Sequence, residues 1–276
     1  MQVTAGNTQS TPGFLVTKEH RRFREFCEAC RRYRYIGVCY GAAGVGKTFS
    51  CRQVADWGRI ETLLAQSLRD RPAVPQILSC RTLFYTAPVT ATPGRIEREI
   101  LELRHSFNTL LVEMDLVVRE VHVWSYPRPP VDFVELRLVD EADRLKPAAL
   151  EQLRDLYDRT PMGLVLVGMP GLEKRLSRYP QLYSRVGFVH HFRPLSQAEM
   201  HFVLHQQWQQ LGLTLDLGDF TDAEAVATII RITGGNFRLL QRLLSQVERV
   251  LQINDLHLVT KEVIETAREL LIVGVP

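Results

Sequence analysis

The rhythm of apolar and polar positions along the chain changes near residue 195. Before it, short apolar runs alternate with amphipathic stretches; after it, only helical spacing remains. Glu19–Arg34 sets Phe23, Phe26, Cys27 and Cys30 on one helical face. Tyr35–Tyr40 is a short apolar strand, followed by a glycine-rich loop and a helix from Lys47 to about Trp57. Leu83–Ala87 reads as a second strand and, after a turn at Thr92–Gly94, Arg95–Leu111 reads as a helix. Val134–Val139 is a strand that ends in acids, Pro147 opens a helix to Arg159, and Leu164–Val167 and Phe188–Phe192 are further strands. Strands that alternate with helices imply a parallel sheet covered on both faces.

Beyond this point the chain reads as a small helical bundle. Ser196–Leu211 opens with Ser196 and Glu199 at capping-box spacing, and Thr221–Arg231 repeats the pattern with Thr221 and Glu224. Asn236–Gln252 and Thr260–Leu271 follow. Residues 1–18 are expected to form a flexible arm, 19–193 an α/β domain and 194–276 a helical domain, with the linker at Arg193–Ser196. Tyr126–Pro130 (Tyr-Pro-Arg-Pro-Pro) reads as a rigid local turn or a linker of extended character.

Composition adds little to this picture. With 276 residues, 45% apolar and 24% charged, the chain is ordinary for a globular protein. Its apolar runs fall well short of the roughly 20 residues of a membrane span, and Met1–Lys18 does not resemble a signal peptide, so a cytoplasmic location without membrane partners is expected. Five cysteines, Cys27, Cys30, Cys39, Cys51 and Cys80, do not form a disulfide framework, and the Cys27–Cys30 pair lacks a second pair that would complete a zinc site. The net charge of +3 excludes no partner. Lys18, Arg21, Arg22, Arg24, Arg31, Arg32 and Arg34, interleaved with Phe23, Phe26, Tyr33 and Tyr35, fit either a phosphate-contacting surface or a solvated helix face.

Two motifs carry chemistry. Gly41-Ala42-Ala43-Gly44-Val45-Gly46-Lys47-Thr48, followed by Phe49, matches G-x-x-x-x-G-K-[ST] between a strand and a helix. Its glycines let successive main-chain amides turn inward toward phosphate oxygens at the positive end of the helix. Lys47 supplies a mobile charge for the β- and γ-phosphates, and the Thr48 hydroxyl suits magnesium. The second motif, Glu135-Leu-Arg-Leu-Val-Asp140-Glu141-Ala-Asp143, delivers two carboxylates to the carboxyl edge of a sheet. Asp140 is expected to hold Mg2+, directly or through water, and Glu141 to polarise the attacking water. ATP and Mg2+ are therefore the expected cofactors, and phosphoryl transfer of this kind rests on positioning and charge stabilisation.

Over roughly residues 20–270 the chain resembles AAA+ ATPases, in which an α/β P-loop domain is followed by a helical lid. The resemblance implies a polar sensor residue at the end of the strand after the acidic pair, but Gly168–Met169 stands there, which implies slow hydrolysis. Gly234-Gly-Asn236-Phe-Arg238 is similar to a second sensor that would bring Arg238 to the γ-phosphate. An arginine finger acting on the neighbouring subunit would be Arg185, with Arg175 and Arg178 as further candidates. The short length, Asp140–Pro147, Leu166–Leu172 and the Gly-Asn-Phe-Arg lid resemble the TnsC, TniB and MuB group of transposition regulators, most nearly TnsC of CRISPR-associated transposons. That resemblance implies a head-to-tail homo-oligomer, ring or helical filament, on double-stranded DNA, with a transposase and a target-selection protein as partners. Arg95, Arg98 and Arg119 are the candidate DNA contacts. A helicase loader or replication initiator, or an ATPase acting only on protein partners, stays open as an alternative.

Overall fold

The computed structural model describes residues 14–67, 71–90, 92–119, 131–210 and 215–271. The expected turn at Tyr126–Pro130 and most of the expected arm lie outside them. The chain divides into two compact units: residues 22–193, and residues 194–271 together with 14–21.

The first unit begins with most of α1 (Lys18–Tyr33) and continues through β1 (Ile36–Tyr40), α2 (Lys47–Val54), α3 (Trp57–Ala65), β2 (Thr82–Thr86), α4 (Pro93–Arg119), β3 (Leu136–Asp140), α5 (Pro147–Asp158), β4 (Gly163–Gly168), α6 (Leu172–Leu176), α7 (Pro180–Tyr183) and β5 (Val186–His191). The five strands form one parallel sheet in the order β2-β3-β4-β1-β5. Residues alternate between its two faces with the period of a strand. Val165 and Val167 join one core with Cys27, Cys30, Cys39 and Leu138, whereas Leu164 and Leu166 join the other with Ile36, Val38 and Leu150. Burial of each such Leu or Val contributes roughly 1.5–3 kcal/mol relative to exposure. Both thiols of the Cys27–Cys30 pair are buried in the first core, and burial pushes the Cys30 thiol up to about 12.

Several boundaries differ from the sequence reading for local reasons. The expected helix from Lys47 to Trp57 breaks at Asp56, a non-glycine residue in the left-handed region (φ 47°), and α3 starts afresh behind it. Arg59 steadies that corner by an ion pair to Asp56 at 2.7 Å. The helix expected to stop at Leu111 runs on to Arg119, because Met114 and Leu116 extend its buried stripe past the intervening acids. The short helices α6 and α7 were not foreseen; at 5 and 4 residues they are too brief to show periodicity.

One core position breaks the apolar pattern. Arg137 on β3 lies between Leu83 and Leu164 and is only 1% exposed. None of its three guanidinium nitrogens has a hydrogen-bond partner among the described residues, and burial lowers its pKa to about 10.

In the second unit, α8 (Gln197–Gln210), α9 (Phe220–Thr233), α10 (Phe237–Ile253) and α11 (Lys261–Glu269) bury Trp208, Ile229, Leu240, Leu243, Val247 and Ile264 in a core of their own. The capping box of α8 forms as expected: Ser196 N donates to the Glu199 carboxylate at 3.0 Å and Glu199 N to Ser196 Oγ at 3.4 Å. The other Glu199 oxygen accepts from the main-chain N of Glu19 at 2.9 Å, and Leu15 packs on this core, so residues 14–21 belong with the helices. The expected cap of α9 at Thr221 is replaced. Asp219 caps it instead, accepting from Thr221 N at 2.8 Å and Asp222 N at 3.2 Å.

Candidate functional site

The site is built where the central strands end. β4 lies between β1 and β3, so the phosphate loop after β1 and the acids after β3 flank the head of β4. Within the loop, Gly44 (φ 79°) and Gly46 (φ 108°) take left-handed conformations that side-chain-bearing residues resist, and Gly46 leads directly into α2. Gly41 passes so close to the Phe192 carbonyl that a β-carbon would collide with it. Ala42 and Ala43 are exposed at the tip of the loop, Val45 is buried beneath it, and Phe49 is exposed in the first turn of α2.

The two motifs meet through side chains. Thr48 Oγ1 donates to Asp140 Oδ2 at 2.6 Å, although 92 residues separate them. Asp140 is 2% exposed, and its other oxygen accepts from the Glu141 amide at 2.9 Å. Lys47 Nζ folds back on its own loop, donating to the carbonyls of Gly41 at 2.6 Å and Ala42 at 2.8 Å. Desolvation lowers the Lys47 pKa, against the opposing pull of charges that include Asp140, Glu141 and Asp143. A half-buried ammonium held by two carbonyl dipoles at the positive end of α2 suits an anion. The hydroxyl and carboxylate of Thr48 and Asp140 are hard oxygen donors of the kind magnesium takes. The residues present thus fit a nucleotide triphosphate with its Mg2+.

Glu141 stands just past β3 with a left-handed backbone (φ 56°), which turns the chain sharply into the 3-10 turn Ala142–Arg144. Its carboxylate lies 3.4 Å from Arg144 Nη2, and Arg144 Nη1 also donates to the Ala87 carbonyl after β2 at 3.2 Å. Sequence reasoning missed Arg144 as a neighbour of Glu141, since a turn-forming arginine carries no motif of its own.

A family model described as an AAA domain matches residues 30–176. The chain belongs to the AAA domain family of P-loop ATPases. It is 45% identical over 267 residues to a potential ATP-binding protein of Staphylococcus aureus, covering 95% of this chain and 97% of that one. It is 26% identical to the Mu-like prophage FluMu DNA transposition protein B of Haemophilus influenzae, covering 86% and 74% respectively. Among solved structures, the RuvB Holliday junction branch migration motor of Thermotoga maritima superposes with a TM-score of 0.58 at 16% identity, covering 96% of this chain and 72% of that one. That last likeness is one of fold alone.

The remaining arginines of this AAA chain are dispersed. Arg185 is held inside its own unit: Nε and Nη2 grip the Asp158 carboxylate at 2.6 and 2.8 Å, and Nη1 donates to the Gln181 carbonyl. Arg175 Nη1 donates to the Asp143 carbonyl at 2.6 Å, while Arg178 is exposed with no ion pair among the described residues. Arg238 is exposed in the first turn of α10, behind Gly234 and Gly235, both left-handed, and Asn236, whose Oδ1 caps the helix at Leu239 N. Arg95 and Arg98 share the start of α4, where Arg95 pairs with Glu99 at 2.6 Å. Arg119 is at the far end of that helix, about 36 Å away along its axis, and pairs with Asp115 at 2.7 Å. The structure therefore does not gather these three into one patch. On α1, Phe23 and Phe26 are core residues, whereas Arg21, Arg24 and Arg32, and Arg34 just past the helix, face solvent. No described helix is long and apolar enough to cross a membrane.

Proposed function

We propose that this chain hydrolyses ATP and assembles head to tail on double-stranded DNA, where it recruits or activates a transposase at the target site. The observation that carries the catalytic half is the 2.6 Å contact between Thr48 and Asp140, which joins the two phosphate-binding motifs into one site. The transposition half is supported by the likeness to DNA transposition protein B, which extends over 86% of the chain. The nearer relation to TnsC of CRISPR-associated transposons, inferred from the Asp140–Pro147 and Gly234–Arg238 phrases, belongs to the same proposal.

In this reading Lys47 leaves its two carbonyls for the β- and γ-phosphates, and the loop amides take the remaining oxygens. Mg2+, held by Thr48 and Asp140, supplies charge neutralisation for the triphosphate. Glu141 accepts a proton from the attacking water as the water oxygen bonds to the γ-phosphorus. The bond from that phosphorus to the β–γ bridging oxygen breaks, and ADP leaves with the electron pair. Arg238 is assigned to the γ-phosphate in this reading. Arg185 acts in trans after exchanging Asp158 for the neighbour's nucleotide, with Arg178 as the alternative finger because it has no ion pair among the described residues to give up. A head-to-tail contact whose rotation does not close produces a filament, and nucleotide at that contact makes assembly ATP-dependent.

Binding of random-sequence duplex DNA tests the reading. With ATP, affinity is expected to fall steeply as salt rises, as for phosphate-backbone contacts, and with ADP binding is expected to disappear. Nucleotide-dependent activity with no duplex binding at low salt would favour an ATPase that acts on protein partners.

A further inference from the structure

The head of β4 carries no polar side chain, since Gly168 and Met169 occupy it, yet the space above Gly168 holds a carboxylate. A β-carbon at Gly168 would lie 2.6 Å from Asp143 Oδ1. That oxygen accepts from the Met169 amide at 3.1 Å. The Asp143 main chain is fixed as well, because it belongs to the 3-10 turn Ala142–Arg144 and its carbonyl accepts from Arg175 Nη1 at 2.6 Å. The strand beneath it is tied to the phosphate loop, as Gly41 N donates to the Gly168 carbonyl at 3.3 Å. Asp143 Oδ2 has no hydrogen-bond partner among the described residues, and the residue is only half-buried. One carboxylate oxygen is therefore anchored and the other is free, at the point between the loop and Asp140–Glu141.

We propose that Asp143 is a third functional carboxylate of this site and orders the attacking water together with Glu141. The inference rests on the ATP-hydrolysis reading above. An ionised carboxylate only accepts hydrogen bonds, so Asp143 does not bind the γ-phosphate, which it would repel; water is the ligand its free oxygen suits. With one O–H donated to Glu141 and the other to Asp143 Oδ2, the water's lone pair is held toward phosphorus. Glu141 takes the proton as the new oxygen–phosphorus bond forms, while Asp143 keeps a hydrogen bond and transfers nothing. The absent side chain at Gly168 is then a requirement, since it leaves room for the carboxylate.

Asp143→Asn separates this role from a purely structural one, because the asparagine carbonyl still accepts from Met169 N. Steady-state turnover and ATP affinity are to be measured for the wild type, Asp143→Asn and Gly168→Ala, with thermal unfolding as a check on folding. The expected result is a fall in kcat of roughly 10- to 100-fold for Asp143→Asn, smaller than the roughly 100- to 10,000-fold of a group that takes the proton, with KM and the ATP dissociation constant within about threefold. Gly168→Ala, which crowds the carboxylate, should lower kcat in the same way without altering charge. Turnover of Asp143→Asn within twofold of the wild type overturns the inference and leaves Asp143 as a clamp on β4. A wild type that binds no ATP overturns the ATPase reading and this inference with it.

Discussion

Lys47 has a different set of partners in the free site from the one its chemistry calls for. Its ammonium is half-desolvated and, among the described residues, donates to the Gly41 and Ala42 carbonyls, so a triphosphate would replace an ion–dipole contact by one between opposite charges. Lys47→Ala is expected to weaken ATP binding at least about 100-fold, equivalent to some 2.7 kcal/mol, as read by calorimetry, and to abolish assembly with it. Glu141→Gln is expected to retain ATP while slowing turnover by about 100-fold or more, which single-turnover kinetics would show. Arg137 is a contrasting case, a buried guanidinium without a hydrogen-bond partner among the described residues. Burial lowers its pKa to about 10, so its charged form opposes folding below that pH, and the penalty fades as pH rises toward the ordinary guanidinium value. Arg137→Leu should raise the thermal unfolding midpoint at neutral pH, and a lowered midpoint would show that the guanidinium has a partner after all.

At the scale of elements, the strands and the two motifs were legible in the sequence because each is short, apolar and ends in its own chemistry. The head of β1 leads into glycines, and β3 ends in Asp140. What could not be read depended on single backbone conformations or on distant partners. Nothing in the Lys47–Trp57 pattern signals that Asp56 takes a positive φ, and nothing near Gly168 announces that Asp143, 25 residues earlier, fills its space. The cap of α9 was misplaced by two residues because Asp219 and Thr221 are both good capping types. Backbone amides of Asp222 and Thr221 hold the Asp219 carboxyl below its ordinary range. Its stabilisation is therefore full at neutral pH and lost as pH falls through that depressed value. Asp219→Ala should therefore lower the unfolding midpoint at pH 7, and its gap to the wild type should narrow as pH falls below the ordinary aspartate range.

For the whole molecule, the sequence indicated an α/β unit followed by a helical one, and the five parallel strands and four further helices have that form. Residues 14–21 were assigned elsewhere because contacts such as Glu19 to Glu199 link positions 180 apart and leave no trace in local pattern. Assembly is where the arginines are tested. Arg185→Ala is expected to leave the hydrolysis rate of dispersed subunits unchanged and to reduce the rate of the assembled protein, since its proposed role is on a neighbour's nucleotide; an equal loss at both concentrations would assign it to its own subunit. The most direct test of the central claim is electron microscopy of the Glu141→Gln protein with Mg2+, ATP and duplex DNA. The account predicts ordered rings or filaments on DNA with nucleotide at each subunit contact and none with ADP; isolated subunits with empty phosphate loops under the same conditions would contradict it.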